Sequence, residues 1–169
     1  LMYTGYKENN GPFVIRYPRG KGEMADWRNE MHVLPIGKGK KLRDGDDIAI
    51  LSLGPIGNEV IKAIKEIEGD GISIAHYDMI YLKPMDEELL HEVGKKFSRI
   101  ITVENGVIRG GLGSAVLEFM ADNGYTPKIK RIGVPDEFVE HGPISELYKL
   151  CGMDAKCIAE EIKKMVIGG

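Results

Sequence analysis

Cysteine is scarce. Cys151 and Cys157 are the only two in 169 residues, too few for a disulfide framework, and no secretory signal stands before them. A reducing, cytoplasmic setting is the expectation. Long apolar runs are missing as well. The longest, Ile48 to Leu51 and Ile100 to Val103, are strand-sized and far short of the roughly 20 residues a helix needs to cross a bilayer. Positive charge is not in excess either: 23 Lys and Arg against 26 Asp and Glu leave a formal charge of −3. That excludes the basic footprint of a nucleic-acid partner. The four histidines, His32, His76, His91 and His141, share no ligand spacing with one another or with the cysteines, so no metal site is expected. No Gly-x-Ser-x-Gly elbow or other nucleophile signature occurs.

What remains is a globular balance, 43% hydrophobic and 29% charged, with a length suited to one domain, or one domain plus a fragment. Glycine is abundant, 22 residues where ordinary usage of roughly 7% would give about half as many. The glycines lie between periodic segments, so they mark turns and do not form a low-complexity tract. Leu1-Met2 lacks a basic leader and runs straight into polar residues, from which the chain is expected to start inside a longer protein.

From Asp46 onward, strands and helices alternate. Asp47 to Leu53 is an apolar, β-branched run, and Asn58 to Ile67 carries Val60, Ile61, Ile64 and Ile67 at helical spacing. Gly69-Asp70-Gly71 ends that helix, with Gly69 expected at C′ and Gly71 turning into the next strand, Ile72 to Tyr77. Asp86, Glu87 and Glu88 then lie in the first turn of a helix opened by Pro84, where the helix dipole favours acids. Ile100 to Val103 reads as a strand covered on both faces. Gly113 to Ala121 reads as a helix burying Val116, Leu117 and Met120, followed by a strand at Lys128 to Val134 and helices at Ile144 to Leu150 and Ala155 to Val166. The pattern predicts an α/β domain with a largely parallel sheet.

Residues 1–45 differ. Phe13 to Tyr17 reads as a lone strand closed by Pro18-Arg19-Gly20, and the basic run Lys38 to Arg43 as a solvated turn or linker. The expected division is therefore a tail and connection over 1–45 and an α/β domain over 46–169.

Two strings invite a ligand. Gly110-Gly111-Leu112-Gly113-Ser114 follows a strand and opens a helix, where backbone N–H groups and the dipole can hold a phosphate. It fails the dinucleotide fingerprint in spacing and lacks the lysine of a P-loop. The favoured reading is that its glycines admit close helix–sheet approach while Ser114 caps the helix. Gly69-Asp70-Gly71 imitates the opening of a magnesium and thiamine diphosphate motif, but it follows a helix and lacks the downstream asparagine pair. Arg16 and Arg19 flank Tyr17-Pro18, and their guanidinium groups suit bidentate recognition of phosphate or carboxylate. His141 sits at a turn before a helix. The residues alone thus indicate a fold and candidate anion sites, with no reaction.

Several strings taken in order resemble the 1-deoxy-D-xylulose-5-phosphate synthase family of transketolase-like enzymes. They are Gly11 to Gly20, Leu34 to Gly39, Leu82 to Asp86, Thr102 to Gly106, Gly110 to Glu118 and Gly133 to Gly142, and together they span almost the whole chain. The glycine-rich string is shared with transketolases and with 2-oxo acid dehydrogenase β-subunits. The Arg-Tyr-Pro-Arg-Gly and Phe-Val-Glu-His-Gly strings point more narrowly to the synthases.

The resemblance implies a three-layer C-terminal domain preceded by the last strand and linker of a pyrimidine-binding domain. The implied parent is a homodimeric transferase using thiamine diphosphate and magnesium. It condenses pyruvate with glyceraldehyde 3-phosphate, with loss of CO2, toward isoprenoid precursors and thiamine. Arg16 matches the arginine that holds the phosphate of that sugar substrate, and Arg19 is a weaker second. No catalytic or metal-binding residue falls within this chain, which by itself is expected to be inactive, to bind no cofactor and to support the parent's missing N-terminal domains and dimer. Asn105 and Arg109 depart from the pattern common in the family. The rival readings are the C-terminal part of a transketolase or 2-oxo acid dehydrogenase β-subunit, and a free-standing module holding a phosphorylated ligand at Gly110 to Ser114.

Overall fold

The computed structural model describes residues 1–8, 11–18 and 28–168. The chain divides into two compact units, Leu1–Ile36 and Gly37–Gly169.

Among the described residues, the first unit holds one helix, α1 (Met2–Glu8). Thr4 is its buried residue, and its hydroxyl accepts a hydrogen bond from the Leu34 amide at 2.9 Å. The Phe13 ring packs so closely on Gly5 that a Cβ there would lie 2.9 Å from the ring. Residues 13–17 do not form the expected strand. A strand is stabilised only by pairing, and no second strand lies among the described residues of this unit. Arg19 and its neighbours in 19–27 lie outside the described residues.

The second unit opens with β1 (Lys40–Arg43), where a solvated turn or linker was expected. β1 forms the antiparallel edge of the sheet, paired with β3 (Ile74–Asp78) through an irregular register. Basic residues suit such an edge, because charge discourages pairing with further strands. Lys41 reaches Glu92 at 2.8 Å, and Lys38 pairs with Glu88 and, at 3.6 Å, with Asp86.

The remaining strands are β2 (Ile48–Leu53), β4 (Arg99–Val107) and β5 (Lys128–Val134). The sheet order is β1-β3-β2-β4-β5, and β3, β2, β4 and β5 run parallel. The crossovers are α2 (Gly57–Glu66), α3 (Glu87–Lys96) and α4 (Leu112–Asp122). The chain closes with α5 (Ile144–Leu150) and α6 (Ala155–Ile167). The predicted α/β architecture with a largely parallel sheet is the one observed.

Alternation along β2 separates two cores. Ile48 and Ile50 pack with α2 and α6, whereas Ala49 and Leu51 pack with residues of α3 and α4. Both faces are covered, which is why β2 is apolar without a break. Helix α6 buries Ala155, Ile158, Ala159, Ile162 and Met165, one stripe at helical spacing. Asp154 caps α6 by accepting from the Cys157 amide at 3.2 Å. Asp86 caps α3, accepting from the Leu89 amide at 3.1 Å, and also accepts from Gly39 at 3.0 Å, so one carboxylate anchors the approach to β1.

Two local expectations fail. The left-handed residue after α2 is Gly71 (φ 72°), not Gly69, because a short 3-10 turn over Glu68–Asp70 intervenes before the chain reverses. Leu117 is substantially exposed, and the buried residues of α4 are Leu112, Gly113, Val116 and Met120. The stripe is rotated toward the N-terminus because α4 is drawn down at that end by the contact described below.

Two polar side chains lie buried under the first turn of α2. Ser52 Oγ and His76 Nε2 are 2.9 Å apart, and a Cβ at Gly57 would come within 2.9 Å of that hydroxyl. Burial holds the imidazole neutral and depresses its pKa from 6.5 to about 4. An unfolded chain would titrate this group near 6.5, so between those values it takes up the proton more readily than the folded one. Stability contributed by neutral His76 is therefore complete above pH 6.5 and is lost as the pH falls toward 4, by up to about 3 kcal/mol at about 1.4 kcal/mol per unit. Denaturant unfolding at pH 7.5, 6, 5 and 4 should reveal this loss, and His76→Asn should flatten that part of the profile.

Candidate functional site

The glycine string between β4 and α4 carries the strongest ligand signal in the α/β unit, and its geometry reassigns it. Glu104, the last buried residue of β4, turns its carboxylate onto the N-terminus of α4. Oε2 accepts from the Leu112 amide and Oε1 from the Gly113 amide, both at 2.9 Å. These N–H groups have no partner within the helix, and the positive end of the helix dipole reinforces the bond to an anion. The donors that a phosphate would use are already taken by the chain's own carboxylate.

The glycines make this approach possible. A Cβ at Gly111 would lie 2.1 Å from Glu104 Oε2, and one at Gly113 would lie 2.7 Å from both Thr102 Oγ1 and the Arg131 chain. Close helix–sheet approach is thus the reason for Gly111 and Gly113, as the favoured reading held, whereas Gly110 stands in open space and supplies a left-handed turn at φ 74°. The expected capping role of Ser114 is not observed. Its hydroxyl instead accepts from the Gly110 amide at 2.9 Å and from Arg131 Nη1 at 3.1 Å, while the same Nη1 donates to the Ile108 carbonyl at 3.0 Å. Ser114 and Arg131 close the loop, and Glu104 caps the helix. Thr102, beside this clasp, is fully buried and its hydroxyl lacks a hydrogen-bond partner.

Among the remaining candidates, Arg16 lies exposed on the 11–18 segment of the first unit. Arg19 lies outside the described residues. His141 is exposed. His91 Nδ1 is hydrogen-bonded to the Tyr125 hydroxyl at 3.0 Å. Ser52 and His76 are closed to solvent, a packed pair with no room for a substrate.

Cys157 lies in the first turn of α6, where a thiol is ordinarily acidified. Here a hydrogen bond to Asp154, followed by burial, pushes it up to about 11. The thiolate is therefore disfavoured.

No cluster of three His, Cys, Asp or Glu side chains able to hold a metal ion occurs among the described residues. Asp70, in the triplet that imitates the magnesium motif, is paired with Lys163 at 2.6 Å.

The profile of the transketolase C-terminal domain family matches residues 37–158. The chain belongs to that family. It is 79% identical to the 1-deoxy-D-xylulose-5-phosphate synthase of Parabacteroides distasonis over 164 residues, 97% of this chain and 26% of that protein. It is 58% identical to the Bacteroides fragilis protein of the same name over 165 residues, with the same coverage. The chain therefore spans about a quarter of the length of the curated relatives it matches.

Among solved structures, a split-gene transketolase described as an inactive β4 tetramer aligns with TM-score 0.72 and 32% identity, over 80% of this chain and 43% of that one. A transketolase from Campylobacter jejuni aligns with TM-score 0.55 at 15% identity, over 75% of this chain and 18% of that one, a likeness of fold. Both agree with the three-layer arrangement of the second unit.

Sequence reasoning missed Glu104 as the cap and Ser52–His76 as a pair. The signals were present: a lone acid ending a buried apolar strand just before a helix-opening glycine string, and two polar residues inside otherwise apolar strands.

Replacing Glu104 by Ala should cost about 2–4 kcal/mol, the sum of two charge-assisted bonds and a cap. Gly111→Ala should cost about 2–3 kcal/mol by forcing that carboxylate away. Because both act on one contact, the double variant should lose clearly less than the sum, measurable as a coupling energy in denaturant unfolding. Thr102→Val, which removes the unpartnered hydroxyl at equal volume, should be neutral or up to about 1 kcal/mol more stable.

Proposed function

We propose that this chain is the C-terminal part of a 1-deoxy-D-xylulose-5-phosphate synthase. In this reading the parent enzyme is a transferase that condenses pyruvate with glyceraldehyde 3-phosphate, with loss of CO2, and supplies precursors of isoprenoids and thiamine. The observation that carries it is the 79% identity to the Parabacteroides distasonis synthase across 97% of the chain. The split-gene transketolase, at 32%, supports only the broader family.

The reading assigns Arg16 the phosphate of glyceraldehyde 3-phosphate. A planar guanidinium grips a phosphate through paired N–H donors, and fixing that end of the substrate orients its aldehyde for attack. Arg19 is the proposed second contact. The tail and linker of the pyrimidine-binding domain, expected over 1–45, would then end by Ile36, because Lys40–Arg43 belongs to the sheet of the unit proposed as the C-terminal domain.

The family uses thiamine diphosphate. With no fitting donor set among the described residues, the cofactor and its Mg2+ are assigned to upstream domains. The second unit's role is then structural, supporting those domains and a homodimer. A cytoplasmic location is part of the same reading. Among the described residues, no helix is long and apolar enough to cross a membrane.

The test joins the upstream coding sequence and assays the full-length protein with pyruvate, glyceraldehyde 3-phosphate, thiamine diphosphate and magnesium. The expected result is product from the full-length enzyme and none from the 169-residue chain. Arg16→Ala should lower kcat/KM by the equivalent of about 2–5 kcal/mol. Turnover with a ketose donor or a lipoyl acceptor in place of pyruvate and the triose phosphate would instead favour a transketolase or a 2-oxo acid dehydrogenase β-subunit.

A further inference from the structure

The first unit places a close contact three residues before Arg16. Gly5 lies inside α1, where glycine weakens a helix relative to alanine, and its φ is not positive. What this glycine provides is room. A Cβ there would lie 2.9 Å from Phe13 Cδ1, 3.0 Å from Cγ and 3.4 Å from Cβ. The contact reaches the root of the ring, so turning the ring about its own axis does not relieve it. An added methyl would displace the side chain as a whole, and with it the chain that it anchors.

Helix α1 is itself fixed. The buried Thr4 hydroxyl accepts from the Leu34 amide at 2.9 Å, which ties the helix to a segment 30 residues away. From Phe13 onward burial alternates: Phe13 and Ile15 are half-buried, whereas Val14 and Arg16 are exposed. Successive side chains thus point to opposite sides, and the ring anchored inward at 13 decides that residue 16 faces outward. A shift of one residue would exchange the two sets.

We infer that Phe13, seated on Gly5, is a positioning residue for Arg16 and sets the place at which its guanidinium meets a phosphate monoester. This rests on the phosphate role proposed for Arg16. Both residues act through that arginine, and neither is a catalytic residue. Paired N–H donors hold a phosphate only where their fork meets its oxygens, so a small displacement of the chain at 13 is felt at 16.

The test uses the full-length protein and compares two acceptors, glyceraldehyde 3-phosphate and unphosphorylated glyceraldehyde. Gly5→Ala should lower kcat/KM for the phosphorylated acceptor about tenfold, since a displaced guanidinium no longer orients the aldehyde. With glyceraldehyde the same variant should stay within about twofold of wild type, as should its KM for pyruvate. Phe13→Ala, which empties the contact from its other side, should show the same pattern. In the Arg16→Ala background, Gly5→Ala should bring no further loss, because the group it positions is gone.

An equal loss with both acceptors would overturn the inference, since it would mark the contact as packing alone. So would a wild-type preference for the phosphorylated acceptor in both contact variants. The two readings fail separately. If Arg16→Ala keeps the preference, the phosphate role itself falls, and the positioning role with it. If Arg16→Ala loses the preference while the contact variants keep it, only the positioning role falls.

Discussion

A single carboxylate sets the geometry of one side of this sheet. Glu104 leaves β4 and ends on the first amides of α4, which pulls the helix terminus onto the strand. Everything nearby follows from that separation. Gly111 and Gly113 cannot carry side chains. Arg131 is laid along Gly113 and used to close the loop, and the buried stripe of α4 shifts toward its first turn. A buried carboxylate is costly unless its oxygens are bonded. Here the otherwise unpartnered amides of a helix terminus meet that need, so each group answers the deficit of the other.

The opposite face solves a similar problem without charge. Ser52 and His76 satisfy each other beneath α2, and the imidazole stays neutral because the space is dry. The neutral pair loses its contribution once the imidazole must accept a proton, well within the range of mildly acidic media.

Membership of the transketolase C-terminal domain family fits a unit of this character. Its polar buried groups are spent on holding helices to the sheet, and its best phosphate cradle is filled by its own side chain. The residue proposed to touch substrate, Arg16, stands outside the α/β unit, in Leu1–Ile36. Within this chain, then, stability and chemistry are assigned to different segments.

The sequence by itself determined the alternation of strands and helices from Ile48 onward, since burial on both faces or on one stripe writes its period directly into the apolar residues. It also favoured close approach as the reason for the glycine string, which holds for Gly111 and Gly113, while Gly110 serves a left-handed turn at φ 74°. What it left to the tertiary structure were matters settled between segments distant in sequence. Lys40–Arg43 became a strand only because β3 offers an edge. Residues 13–17, with the stronger strand propensity, form none, and no strand lies beside them among the described residues of their unit. Ser114 has the right residue type for a cap, but the helix begins at Leu112 with Gly111 at the N-cap, so Ser114 falls inside α4 and Glu104, eight residues before Leu112, supplies the acceptor. Propensity is a local quantity and could be read from the chain, whereas pairing and capping depend on which donor meets which acceptor after the backbone has folded.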